Sequence, residues 1–150
     1  MGDHHYSEPL LIVQGSQQLE DFPAGGLVEA QDGYPLPVVE VADSHLALGR
    51  MAQQWRRRCP ARVIAITGSN GKTTLKEMTA AILARRGGVL ATRGNLNNDI
   101  GVPLTLCRLR DEPFAVIEMG ANHAGEIDYL SRLTQPDIAV LNNAGRAHLE

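Results

Sequence analysis

Residues 62–86 read RVIAITGSNGKTTLKEMTAAILARR, and this stretch decides which fold the chain can adopt. It begins with the apolar run 63–66, whose length and composition are typical of a buried parallel strand. A glycine-rich turn follows, and the next residues have the spacing of a helix whose apolar face would carry Leu75, Met78, Ile82 and Leu83. Strand, glycine turn and helix in this order predict a phosphate-binding loop.

The turn and the first helical residues are of the types that bind a polyphosphate. Glycine at two positions allows the backbone to bend so that its N–H groups approach phosphate oxygens, and the helix N-terminus adds partial positive charge. Lys72 can reach the β- and γ-phosphates of a nucleotide, and the Thr73 hydroxyl can bind Mg²⁺. The predicted ATP-binding residues are Gly68, Ser69, Asn70, Gly71, Lys72, Thr73 and Thr74.

The loop departs from the usual phosphate-loop pattern at one position. That pattern has a glycine six residues before the lysine, where this chain has Ile66, so the motif is the shorter G-x-x-G-K-T-T. The alternative interpretation is an ordinary strand-to-helix turn with a solvated lysine. The flanking strand and helix favour phosphate binding, because the motif requires both.

Composition limits the classes of protein that fit. The chain has 150 residues, enough for one domain or for one small domain and part of another. A formal net charge of −3 gives no electrostatic basis for binding nucleic acid or an anionic membrane. Cys59 and Cys107 are expected to pack as small apolar residues, which favours the cytoplasm. No apolar run reaches membrane-spanning length, so no membrane insertion is predicted.

The first third of the sequence predicts part of a separate, smaller domain. Strands are expected at 10–13 and 35–41, followed by a helix that begins near Ser44 and ends before Pro60. The expected core stripe of this helix is Leu48, Met51, Ala52 and Trp55, and its expected solvated end is Arg56, Arg57 and Arg58. We therefore predict an N-terminal domain over 1–60 and a central domain over 61–150.

The rest of the chain continues the alternation of strands and helices. Strands are predicted at 89–92, 114–117 and 138–141, with helices around Pro103 and Leu130 between them. The predicted class is α/β, with a mainly parallel sheet in a central domain of the P-loop type, preceded by part of a smaller α/β domain. Ligands of such sheets bind beyond the carboxyl ends of the strands. Residues at such ends are Thr67, Glu118, Asn142 and His148.

Glu118 is the candidate metal ligand, because it ends an apolar strand in the same sheet as the phosphate loop. A lone acid at a strand end is often only solvated, and the loop is what favours a role in holding nucleotide-bound Mg²⁺. His148 by itself is a weak signal, since histidine is not a preferred ligand of Mg²⁺.

Four segments together resemble one family, the ATP-dependent Mur ligases of peptidoglycan synthesis. They are TGSNGKTT at 67–74, GNLNNDIGVP at 94–103, EMGANHAGEI at 118–127 and LNNAGRAHLE at 141–150. The resemblance extends over about 38–150 and is specific over 62–150. Residues 1–37 match poorly.

The resemblance implies an amide-bond ligase that joins D-alanyl-D-alanine to a UDP-N-acetylmuramoyl-tripeptide, with ATP first converting the peptide carboxylate to an acyl phosphate. It implies catalytic roles for Lys72, Glu118 and His148. Thr73 and Glu118 would hold the first Mg²⁺, and His148 would help to hold a second metal. Asn95, Asn97 and Asn98 would lie along the UDP-sugar peptide. The expected molecule is a monomer.

Several alternatives remain open beside this interpretation. The sequence ends before the family's modified metal-binding lysine, adenine contacts and C-terminal domain, so we expect a fragment that does not turn over by itself. It could then be a nucleotide-binding module without ligase activity, or belong to another Mur-type ligase. Folate-polyglutamate and cyanophycin ligases share the ATP loop but not the segments at 94–103 and 118–127. A P-loop switch GTPase would need D-x-x-G and N-K-x-D motifs, which the sequence lacks.

Overall fold

The computed structural model describes residues 41–145, in which helices and strands alternate. In chain order, the elements are α1 (Ser44–Arg58), β1 (Arg62–Thr67), α2 (Lys72–Leu83), β2 (Val89–Ala91), α3 (Gly101–Leu106), β3 (Phe114–Glu118), α4 (Glu126–Thr134) and β4 (Ile138–Leu141). The strand expected at 10–13, and all but the last residue of the one at 35–41, lie outside the described residues.

The four strands form one parallel sheet in the order β2-β3-β1-β4. Parallel neighbours need a crossover connection, and helices supply these connections here. β1 lies between β3 and β4, with Ile66 opposite Glu118 on one side and Thr67 opposite Leu141 on the other. The predicted α/β class with a parallel sheet is confirmed.

Alternate residues of β1 pack on opposite faces of the sheet. Val63 and Ala65 belong to a core cluster that also holds side chains of α3 and α4, among them Leu106 and Leu130. Ile64 and Ile66 face the other side, where the partly buried residues of α2 pack. The strand is therefore apolar throughout because both faces of the sheet are covered.

The compact units of the chain divide between Ala47 and Leu48. From Leu48 onward, α1 therefore belongs to the same unit as the sheet. The division into domains 1–60 and 61–150 stays a prediction.

The buried face of α2 differs from the one that hydrophobicity predicts. Met78 and Ile82 are 58% and 65% exposed, whereas Lys76 is 1% exposed. The Lys76 ammonium donates to the carbonyl of Thr92 at 2.8 Å and pairs with Glu77 at 2.7 Å. A lysine can be buried in this way because its long apolar stem packs while its head reaches polar partners.

The buried face of α1 is also rotated from the predicted stripe. Ala52 is fully buried, but Met51 and Trp55 are 41% and 36% exposed. The interpretation of Arg56 as part of a solvated helix end is wrong, because its side chain is buried. Arg57 is exposed, as expected.

Arg56 connects the end of α1 to the junction between α4 and β4. Its guanidinium donates to the carbonyl of Thr134 at 3.0 Å and to the carboxylate of Asp137 at 3.2 Å. The same Asp137 oxygen accepts the N–H of Val63 at 2.7 Å. This network satisfies a helix C-terminus and a strand start together, which sequence periodicity does not encode.

Both cysteines of the chain lie in the described part. Cys59 and Cys107 are free, and burial raises the pKa of each thiol. They therefore pack as the small apolar residues that composition suggests. Over residues 41–145, no helix combines the length and the apolar content needed to cross a membrane.

Candidate functional site

The predicted phosphate loop connects β1 to α2 in a conformation that needs its glycines. Gly68 has φ 141° and Gly71 has φ 74°, a region in which other residues are strained. A Cβ on Gly68 would also lie 3.0 Å from the backbone nitrogen of Asn143. The Lys72 ammonium folds back over the loop and donates to the carbonyl of Gly68 at 2.7 Å.

The N-terminus of α2 directly follows this loop. Gly71 is its N-cap residue, and no described side chain caps the helix by a hydrogen bond. The first N–H groups of a helix have no partner within the helix and carry partial positive charge. This end of α2 therefore presents donors suited to an anion, with Thr73 and Thr74 exposed in the first turn.

Residues 142–145, which follow β4, form hydrogen bonds to the phosphate loop. The Asn143 side-chain oxygen accepts the N–H groups of Ser69 and Asn70, each at 3.0 Å. The side-chain amides of Asn142 and Asn143 both donate to the carbonyl of Asn70, at 2.7 and 2.9 Å. Sequence reasoning placed Asn142 at a strand end but missed this role for Asn143. The adjacent asparagines at the end of a parallel strand were the available signal.

Glu118 is the last residue of β3 and lies opposite Ile66, the next-to-last residue of β1. It is 2% exposed, and one carboxylate oxygen accepts the side-chain N–H of Asn97 at 2.9 Å. The other oxygen, Oε2, is buried without a hydrogen-bond partner among the described residues. A buried carboxylate oxygen without a partner is costly, so this position fits a cation.

The backbone around Glu118 is held by residues that follow β2. The N–H of Glu118 donates to the Thr92 hydroxyl at 2.9 Å, and the carbonyl of Thr92 accepts from Lys76 at 2.8 Å. The N–H of Gly120 donates to the carbonyl of Asn97 at 2.8 Å. Glu118 is thus fixed at its backbone and at one carboxylate oxygen, while Oε2 has no partner there.

A polar pocket of about 230 Å³ brings two predicted groups together. Lys72 of the phosphate loop lines it together with Asn97 and Asn98 from the loop after β2. Asn98 also accepts the N–H of Gly101 at 2.8 Å at the start of α3. Asn95 is exposed and does not line this pocket. A second depression, along β2, contains none of the predicted site residues.

Glu126 also lines this pocket, and its carboxylate has more hydrogen-bond partners than that of Glu118. The N–H of Asn122 and the ring and N–H of His123 bond to its two oxygens at 2.7 to 3.2 Å. These bonds, led by that of Asn122, lower the pKa of Glu126 from 4.5 to about 2. A carboxylate already paired in this way closes a turn and is not left available as a ligand.

His148, which is predicted to help hold a second metal ion, lies outside the described residues. Between residues 41 and 145, no group of three or more His, Cys, Asp and Glu side chains could hold a metal ion. A site with a single carboxylate suits Mg²⁺, which keeps several waters and takes further ligands from substrate phosphates.

The parallel sheet, the glycine loop and the acid at the neighbouring strand end define an α/β domain of the phosphate-loop class. Within that class, residues 66–150 match the model of the Mur ligase middle domain. The chain belongs to the Mur ligase family, so the resemblance of the four segments is confirmed.

Two of the curated relatives that the chain resembles have the same name. The chain is 58% identical over 116 residues to the UDP-N-acetylmuramoyl-tripeptide–D-alanyl-D-alanine ligase of Escherichia coli K12, covering 77% of this chain and 26% of that protein. It is 46% identical over 114 residues to the ligase of the same name from Bacillus subtilis, covering 75% and 25%. The chain thus spans about a quarter of the length of these relatives.

Solved structures with the same fold include two MurF proteins. MurF from Acinetobacter baumannii superposes with a TM-score of 0.74 at 50% identity, over 81% of this chain and 27% of that one. MurF ligase from Thermotoga maritima, in complex with ADP, superposes with a TM-score of 0.75 at 31% identity, over 93% and 30%.

Proposed function

We propose that the protein is an ATP-dependent carboxylate–amine ligase that joins D-alanyl-D-alanine to a UDP-N-acetylmuramoyl-tripeptide. The relatives at 58% and 46% identity support this substrate pair by their names. The observation that carries the proposal is the pairing of the phosphate loop with Glu118 on the adjacent strand, where one buried oxygen has no partner.

ATP is assigned to the loop between β1 and α2, residues 68–74. Lys72 supplies a positive charge beside the uncapped N-terminus of α2, and both favour the β- and γ-phosphates. The neighbour from Thermotoga maritima, solved with ADP, supports a nucleotide as the ligand of this fold. Gly68 and Gly71 keep the backbone close enough to the phosphates for direct contact.

Mg²⁺ is assigned to Glu118 Oε2 and the hydroxyl of Thr73. The buried, unpaired oxygen is the structural reason, since a carboxylate in that state fits a cation better than it fits any described neighbour. The ion would neutralise charge on the transferring phosphoryl group. The assignment of His148 as a ligand of a second metal ion rests on the family resemblance alone.

The substrate carboxylate is assigned to the pocket lined by Lys72, Asn97 and Asn98. Two anions must meet there, and a fixed cation such as Lys72 lowers their repulsion. The carboxylate oxygen takes the γ-phosphoryl group and ADP leaves. The amine of D-alanyl-D-alanine then attacks the acyl carbon, loses a proton and releases phosphate. Asn95 is assigned to a more distant part of the UDP-sugar peptide.

The remaining parts of the proposal concern the protein's surroundings. We assign it to the cytoplasm as a monomer, with no nucleic acid and no membrane among its partners. A nucleotide-binding module without ligase activity is the second candidate, because the phosphate loop and Glu118 are groups that need only a nucleotide and its metal ion as ligands.

ATP binding is tested by calorimetry on the chain and on Lys72→Ala. Each charge-assisted contact is worth about 1.5–3 kcal/mol, so we expect the variant to bind MgATP at least about tenfold more weakly. Arg85→Ala is the matched control, because Arg85 is an exposed cation just after α2. Equal affinity of wild type and Lys72→Ala would refute the assignment of the loop.

Ligase activity is tested by ADP release from ATP and Mg²⁺, using protein made from the reading frame that contains this chain. We expect release only when UDP-N-acetylmuramoyl-tripeptide and D-alanyl-D-alanine are both present. Release with a different amine and UDP-sugar acceptor, but not with this pair, would identify another Mur-type ligase. ATP binding without any substrate-dependent release would favour the binding module.

A further inference from the structure

The contacts of Asn143 bear on which loop groups can hold the polyphosphate. Its side-chain oxygen lies 3.0 Å from the backbone nitrogens of both Ser69 and Asn70. Its side-chain nitrogen lies 2.9 Å from the carbonyl of Asn70, and its backbone carbonyl is 3.2 Å from the nitrogen of Ser69. One residue therefore occupies two consecutive N–H groups and one carbonyl of the loop.

Two consecutive N–H groups that converge on one point form a nest of the kind that binds anions. In this loop the nest of Ser69 and Asn70 holds a neutral amide oxygen. We propose that Asn143 is a positioning residue: its side-chain oxygen occupies these two N–H groups, so that the polyphosphate binds to donors from Gly71 onward. This inference rests on the proposed binding of ATP.

Neighbouring contacts fix Asn143 where it is. The N–H of Asn142 continues the ladder to β1 by donating to Thr67 at 2.9 Å. The Ser69 hydroxyl bonds to both the N–H and the carbonyl of Gly145, each at 2.9 Å. The backbone on both sides of Asn143 is thus held, which keeps its side chain within reach of the nest.

The groups left for the polyphosphate are adjacent to one another. The Lys72 ammonium lies over the loop, 2.7 Å from the carbonyl of Gly68. The N-terminus of α2 follows with no side-chain cap among the described residues. Because the first half of the loop is bonded to the segment after β4, its second half is presented in a fixed position, which lowers the ordering cost of binding.

The first test is an NMR titration of the ¹⁵N-labelled chain with magnesium tripolyphosphate and with MgATP. We expect the amide signals of Gly71, Lys72 and Thr73 to shift strongly and those of Ser69 and Asn70 to shift little. Large shifts at Ser69 and Asn70, equal to those at Thr73, would overturn the inference, because the phosphate would then have replaced Asn143. This wild-type measurement does not depend on how well any variant folds.

The second test compares variants of the two adjacent asparagines. Asn143→Ala should weaken tripolyphosphate binding about tenfold, since several neutral hydrogen bonds that order the loop are lost. Asn142→Ala is the matched control. It removes one bond to the same Asn70 carbonyl but leaves both N–H groups held, so a loss of at most about threefold is expected.

Asn143→Asp separates positioning from general support of the fold. The aspartate keeps an acceptor oxygen for the two N–H groups, loses the donor to the Asn70 carbonyl and brings a negative charge beside the phosphate site. We therefore expect weaker binding than in wild type, with a deficit that shrinks as salt rises. A merely structural role would give no salt dependence of this kind. Melting temperatures are recorded for every variant.

Two outcomes distinguish the levels of the proposal. If wild type binds tripolyphosphate and Asn143→Ala binds it equally well or more tightly, the inference is overturned and the proposed function stays intact. Wild type that binds neither tripolyphosphate nor ATP overturns both.

Discussion

The two ends of the same parallel sheet differ in how their polar groups are satisfied. At the amino ends of the strands, Arg56 and Asp137 bond to each other and to the backbone of Thr134 and Val63. At the carboxyl ends, Glu118 Oε2 is the one buried side-chain oxygen or nitrogen without a partner in the part that the structure describes. The uncapped start of α2 lies at that end too.

The difference separates support from function. An end whose donors and acceptors are all matched contributes stability and has nothing to offer a ligand. An end at which a carboxylate and a set of N–H groups have no partner is less stable, but it can bind a cation and a polyphosphate. Substitutions at the two ends should therefore act on different measured quantities.

The largest expected effect on stability lies at the amino end. Arg56→Ala should lower the free energy of unfolding by about 3 kcal/mol, because it leaves a carboxylate and backbone carbonyls without their donor. Urea denaturation measures it. The control is Arg57→Ala on the same helix, which is exposed and should change stability by less than about 0.5 kcal/mol. Equal small losses for both would mean that the buried network contributes little.

Glu118→Gln should act on binding and not on folding. Glutamine keeps the shape and can still bond to Asn97, but it lacks the charge that a metal ion needs. We expect the gain in ATP affinity on adding Mg²⁺ to fall at least about tenfold, or about 1.4 kcal/mol, with unchanged or slightly higher stability.

The measurement for Glu118→Gln is calorimetry with Mg²⁺ and with EDTA. Glu112→Gln is the matched control, because Glu112 precedes the same strand at the other end of the sheet. A variant of Glu118 that responds to Mg²⁺ as wild type does would remove Glu118 from the metal site.

The smallest expected effect concerns the second carboxylate at the carboxyl end. The bonds of Asn122 and His123 hold the pKa of Glu126 at about 2, below its ordinary 4.5. A folded pKa below the unfolded one stabilises the turn above pH 4.5, and this contribution is lost as the pH falls toward 2. An NMR titration of the side chain should show the low pKa, and Glu126→Gln should flatten the change in stability over that interval. A midpoint near 4.5 would show that the turn does not hold the carboxylate.

Much of the fold could be predicted because its signals are local. The run 63–66, the glycines at 68 and 71 and the helical spacing after Lys72 each act within a few residues. The predicted strands at 114–117 and 138–141 match β3 and β4 within one residue. The roles given to Lys72, Thr73, Glu118 and the three asparagines stay predictions, as does the one given to His148.

The sequence by itself determined the order of the elements, the parallel sheet and the edge at which the site lies, since hydrophobic period and turn chemistry act over short distances along the chain. Tertiary structure decided which charges are buried and which loop groups are already paired. Lys76 and Arg56 look like surface residues until a carbonyl from another element meets them. Asn70 and Asn143 are 73 residues apart, and only the pairing of β1 with β4 brings them together. Hydrogen bonds of this kind depend on which residues lie close together in space, and no local pattern in the sequence predicts that proximity.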